Sequence, residues 1–107
     1  MSNSISITTV KDSKVDTLDF DTIALGRTFT DHMFVCDYED GQWKNPRITP
    51  METIPMHPAC MALHYGQALF EGMKATLGAT GTPLLFRPEK NAERLNFSAR
   101  RLGMPEF

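Results

Sequence analysis

The spacing of apolar and polar residues divides this chain into strands first and a helix last. Residues 1–24 are polar, with an alternating Ile5-Ser6-Ile7 and an acidic stretch from Asp16 to Asp21, and read as an arm that docks on something else. Met33-Phe34-Val35-Cys36-Asp37-Tyr38 is strand-like, and the Asp40-Gly41 step before Gln42-Trp43 signals a hairpin. Pro46, Pro50, Pro55 and Pro58 follow at short intervals. Each proline removes a backbone donor, so residues 45–58 are expected to be an extended, ordered loop, neither helix nor central strand.

Ala68-Leu69-Phe70-Glu71-Gly72-Met73-Lys74-Ala75-Thr76 reads as a second strand. A turn from Gly78 to Pro83 leads into a third, Leu84-Leu85-Phe86. After Arg87-Pro88, the residues Ala92, Leu95, Ala99 and Leu102 form one apolar stripe at helical spacing. Gly103 stands where a C′ residue belongs, and Pro105 stops the helix. The fold class is α+β: a small antiparallel sheet with one clear C-terminal helix.

Composition narrows the function classes. A chain of 107 residues is the size of one domain, which typically has roughly 100–150. With 41% hydrophobic and 22% charged residues, whole-chain disorder is excluded. Thirteen acids against eleven bases give a net charge of −2, without the basic footprint of a nucleic-acid binder. No apolar run approaches the roughly 20 residues that span a bilayer, and the N-terminus has no secretory pattern, so no membrane partner is expected. Cys36 and Cys60 make neither a metal spacing nor a disulfide framework, which fits a reduced, cytoplasmic setting.

Candidate chemistry sits in three places. Leu63-His64-Tyr65-Gly66-Gln67 puts a His and a Tyr beside a glycine, residue types able to work as an acid–base pair. The plainer reading is a turn before a strand, with Tyr65 half-buried and its hydroxyl bonded locally. Around the last helix stand Arg87, Arg94, Arg100 and Arg101. Arg94 lies one residue from the apolar stripe, at the helix flank, where a guanidinium can hold an oxyanion or phosphate bidentately. A surface arginine packing its stem on the core would occupy the same position. In Phe70-Glu71-Gly72-Met73-Lys74, a glycine inside a strand marks close approach of a ligand or another backbone. Lys74 is either a Schiff-base nucleophile, if desolvated, or a solvated strand lysine. No glycine-rich phosphate loop, paired-histidine zinc motif, serine elbow or CxxC occurs, and no metal site is expected.

The run from Leu63 through Ala75, with its Phe70-Glu71-Gly72-Met73-Lys74 core, closely resembles the branched-chain amino acid aminotransferases, fold-type IV enzymes that use pyridoxal phosphate. Upstream, Gly26-Arg27-Thr28-Phe29-Thr30-Asp31-His32-Met33 resembles the family's Gly-x-x-Phe-Thr-Asp-His-Met stretch, continued by Trp43, Pro46-Arg47-Ile48 and His57-Pro58. Downstream, Leu85-Phe86-Arg87-Pro88, Asn91, Arg94-Leu95, Ser98-Ala99 and Leu102 through Pro105 follow in the same order. The resemblance covers residues 20–107.

That resemblance implies roles residue by residue. Arg94 matches the arginine that contacts the cofactor phosphate. Phe70 matches an aromatic wall of the substrate pocket, and Tyr65 a tyrosine that reaches the pocket from the partner subunit of a homodimer. Leu25 stands where relatives often carry a pocket phenylalanine. Substrates would be leucine, isoleucine or valine with 2-oxoglutarate. The family's lysine that forms the Schiff base lies in a large domain, and none of Lys11, Lys14, Lys44, Lys74 and Lys90 matches it. The resemblance is therefore to the small domain: residues 1–24 as an arm, 25–107 as the domain, and no activity from these residues alone. A D-amino acid aminotransferase or an aminodeoxychorismate lyase is the sibling reading, disfavoured by the Phe29–Met33 stretch. A non-catalytic binding or dimerisation module is the reading from another class.

Overall fold

In the computed structural model, which describes residues 4–107, the Asp-Gly step makes the turn expected of it. Asp40 (φ 51°) and Gly41 (φ 77°) are both left-handed, which suits a two-residue hairpin loop between right-twisted strands. The chain divides into two compact units, Met1–Pro55 and Met56–Phe107. The first three residues of the expected arm lie outside the described residues.

The first unit is a three-stranded mixed sheet of order β1-β3-β2, from β1 (Ser6–Ile7), β2 (His32–Glu39) and β3 (Gln42–Pro50). β2 and β3 pair antiparallel, with Tyr38 opposite Trp43 and their rings edge to face at 5.0 Å. β1 runs parallel to β3, Ser6 beside Arg47 and Ile7 beside Ile48. Residues 6–13 of the expected arm thus dock on their own unit. Thr8 N–H donates to the Ile48 carbonyl at 2.9 Å, Val10 N–H to His32 Nε2 at 3.0 Å, and the Ser13 hydroxyl to Asp31 Oδ2 at 2.6 Å.

β3 corrects the reading of residues 45–58 as a loop, since its prolines stand inside a strand that is central in the sheet. Val35 faces Arg47 but Asp37 faces Lys44, so the single residue Cys36 opposes both Asn45 and Pro46. Asn45 takes φ 54° there. In such a bulge a residue drops out of the ladder, and a proline without an N–H loses nothing. β1 covers β3 only at Arg47 and Ile48, and Pro50 ends the strand. From Met51 to Cys60 no regular element forms, as expected of the remaining prolines.

The second unit holds α1 (Met61–Tyr65), the hairpin of β4 (Ala75–Leu77) and β5 (Pro83–Leu85), and α2 (Pro88–Arg101). The expected strand over residues 68–76 is therefore reduced to its end. β5 offers three partners, and β4 takes all three. α1, read as a turn, is a short helix closed by Gly66 at φ 62°. α2 agrees with its sequence signals. Pro88 opens it with a fixed φ, Arg100 and Arg101 lie at its negative end, and Gly103 (φ 64°) ends it. Met104 N–H donates to the Ala99 carbonyl and Gly103 N–H to that of Arg100, the paired bonds of a Schellman motif. Of the stripe, Ala99 is fully buried, Leu95 half-buried, and Ala92 and Leu102 exposed.

Candidate functional site

Asn91 and Arg94 stand three residues apart on α2, so their side chains leave neighbouring points on one face. Both reach Glu71, in the irregular segment between α1 and β4. Arg94 Nε–H donates to Glu71 Oε2 at 2.7 Å, and Arg94 Nη2–H donates to Oε1. Asn91 Nδ2 donates to the same Oε1 at 3.0 Å and to the Gly72 carbonyl at 2.8 Å. The Glu71 side chain is 12% exposed and that of Arg94 66%. Hydrogen bonds from Arg94 hold the Glu71 carboxyl far below its usual 4.5, at about 2. Asn91 and the charge of Arg94 act the same way, against desolvation.

A second tie fixes the other end of the segment: Gln67 Nε2 donates to the Leu102 carbonyl at 3.0 Å. An extended run from Gln67 to Glu71 spans about 13 Å at roughly 3.3 Å per residue. The helix from Leu102 back to Arg94 and Asn91 spans about 12–16 Å at about 1.5 Å per residue. The lengths match, so the segment lies along α2 and is held by side chains where no ladder partner exists.

The segment carries Phe70 immediately before Glu71, and Phe70 is 92% exposed. Tyr65, the last residue of α1, is 79% exposed, which corrects the half-buried turn residue expected of it. Arg94 and Phe70 are thus brought to one strip of the second unit. Leu25, in the first unit, is fully exposed. Lys74 is exposed and outside any strand. Gly72 is outside one too, and a Cβ there would meet nothing within 4 Å; its carbonyl, not its lack of a side chain, makes the contact. His57 Nδ1 accepts from Ala59 N–H and His64 bonds to the Pro58 carbonyl, so both imidazoles serve the local backbone.

A cavity of about 460 Å³ opens in the first unit, lined by Val15, Leu18, Phe20, Ile23, Phe29 and His32 among others. None of Leu25, Tyr65, Phe70 and Arg94 lines it. Among the described residues, no cluster of His, Cys, Asp or Glu is placed to hold a metal, and no helix is long and apolar enough to cross a membrane.

Comparison with known proteins gives this arrangement a context. The chain is 48% identical over 104 residues to branched-chain-amino-acid aminotransferase 2 of Bacillus subtilis (strain 168), covering 96% of the chain and 28% of the relative. It is 48% identical over 86 residues to the mitochondrial branched-chain-amino-acid aminotransferase of Bos taurus, 79% of the chain and 22% of that protein. It is 39% identical over 107 residues to the mitochondrial enzyme of that name in Schizosaccharomyces pombe, 99% of the chain and 25% of the relative. The chain belongs to the branched-chain aminotransferase family. It spans about a quarter of the length of these curated relatives. No family model matches.

Glu71 and Asn91 are the members of this hydrogen-bonded cluster that local sequence reasoning passes over. The available signal was the three-residue spacing of Asn91 and Arg94, which puts an amide and a guanidinium on one helix face. Nothing local shows that the carboxylate they share lies 20 and 23 residues upstream.

Proposed function

We propose that the chain is the small domain of a fold-type IV branched-chain-amino-acid aminotransferase, with residues 1–24 as an arm and 25–107 as the domain. The whole enzyme moves the amino group of leucine, isoleucine or valine to 2-oxoglutarate with pyridoxal phosphate. The observation that supports this reading is the outer edge of Arg94. Glu71 occupies Nε–H and one Nη2–H, leaving three of the five guanidinium N–H groups on an exposed side chain. A dianionic phosphate fits that edge, since guanidinium binds phosphate with two parallel bonds.

Pyridoxal phosphate, when bound, supplies the electron sink for amino-group exchange. In this proposal Arg94 binds its phosphate, and Phe70 gives the substrate side chain an aromatic wall. Leu25 lines the pocket, and Tyr65 reaches the pocket of the partner subunit in a homodimer. An apolar wall suits a branched aliphatic chain because it buries no uncompensated polar group. The cofactor-anchoring lysine belongs to the large domain. Residues 1–107 alone therefore do not transaminate. A cytoplasmic site of action is part of the same reading, and the free thiols of Cys36 and Cys60 suit it.

Tyr65 supplies the test. In the full-length protein, a Tyr65→Ala variant and a variant lacking the large-domain lysine are each expected to be inactive. Mixed and re-equilibrated, they should regain about one working site per mixed dimer. A mixed dimer that forms, shown by differently tagged subunits, and stays inactive would remove Tyr65 from the partner's pocket.

A further inference from the structure

Arg94 is anchored before any ligand arrives. An arginine at a helix flank normally samples many rotamers, and an anion must order it on binding. Here the planar fork lies against a carboxylate through two parallel bonds, which fixes both the plane of the guanidinium and the direction of its free edge. Glu71 is in turn fixed: Asn91 donates to its Oε1 at 3.0 Å, and the second Asn91 bond, 2.8 Å to the Gly72 carbonyl, holds the backbone next to it. The carboxylate is 12% exposed while the arginine is 66% exposed. Glu71 is therefore the floor of the arrangement and Arg94 its face.

We infer that Glu71 and Asn91 are positioning residues for an anion held by Arg94, presenting its Nη1 and remaining Nη2 donors as a preformed two-bond grip. This rests on the proposal that Arg94 binds the cofactor phosphate. Pairing with Glu71 cancels most of the long-range attraction that a free cation would exert, so the device favours geometry over charge. It therefore selects a planar-matched, doubly accepting oxyanion such as a phosphate monoester. The carboxylate keeps its charge at any pH near neutrality, because its pKa lies near 2.

The test separates positioning from binding. In the full-length protein, affinity is measured by equilibrium titration for pyridoxal phosphate and for pyridoxal, which lacks the phosphate. Glu71→Gln keeps the shape of the side chain but offers Arg94 one neutral acceptor. It should weaken pyridoxal phosphate about tenfold while leaving pyridoxal unchanged. Asn91→Ala should act in the same direction by a smaller factor, and it keeps the question open to measurement if Glu71→Gln does not fold. The Arg94 Nε–H resonance should lose its downfield position in both variants. Equal weakening of both ligands would assign Glu71 a merely structural role and overturn the inference, as would unchanged affinity for both. Arg94→Lys is the control for the underlying reading. If it leaves pyridoxal phosphate affinity intact, the phosphate role itself falls; if it loses affinity while Glu71→Gln does not, only the positioning role falls.

Discussion

Each unit contains a carboxylate–arginine pair joined by two hydrogen bonds, and the two do different work. In the first, Arg47 Nη1 donates to Asp37 Oδ2 at 2.7 Å across the bulge of the β2–β3 hairpin. Backbone ladders already fix the register on both sides, so the pair trims an arrangement that exists without it. In the second, Glu71 and Arg94 join an irregular segment to a helix, and no ladder stands behind them. An ion pair matters in proportion to what else holds the same two elements together. A count of ion pairs would score these two alike.

Acid is expected to break the second arrangement most severely. The Glu71 carboxyl titrates at about 2 in the folded protein against an ordinary 4.5. Its contribution is therefore complete above about pH 4.5 and is lost as pH falls through 2. Asp37 is also held below its ordinary value, by the Arg47 hydrogen bond. Amide spectra recorded from pH 5 to pH 2 should show residues 67–72 leaving α2 while the β2–β3 cross-strand contacts persist. Simultaneous loss of both would erase the contrast between the units.

What was legible in the sequence follows the same division. Asp40-Gly41, Pro88 and Gly103 act within a turn of their neighbours, and the structure uses each as its residue type implies. Arg94 was legible as a flank residue for a similar reason. The strand expected over residues 68–76 failed because residue types suited to a strand do not report a partner, and β5 provides only three residues to pair with. β3 was missed because a proline is excluded from a ladder only where its N–H is needed, and the bulge at Asn45 removes that need. Glu71 was invisible as a positioning residue because its partners are set by how the segment folds back along the helix.

A smaller perturbation sharpens the comparison from the other end of the same segment. Gln67→Ala removes the bond to the Leu102 carbonyl, for which about 0.5–1.5 kcal/mol is expected in the second unit. Hydrogen exchange should quicken between Gly66 and Glu71 and stay unchanged in β2 and β3. The least effect is expected of Asp37→Asn, which keeps an acceptor toward Arg47 and leaves the ladder bonds in place. Its thermal midpoint should fall less than that of Gln67→Ala. A larger fall would mean that the hairpin depends on its ion pair after all.

The short parallel strand β1 has a kinetic meaning. Its two paired residues contact β3 about 40 positions later in the chain, and closing a loop of that length costs about 3 kcal/mol beyond a constant. A hairpin with a two-residue loop bears almost none of that cost and forms in roughly 1–10 μs. β1 has no template until that hairpin exists, because the ladder edge it joins is β3. The first unit is therefore expected to form its hairpin before β1 docks. The bonds from Val10 to His32 and from Ser13 to Asp31 act as a latch that slows the departure of a strand too short to hold itself.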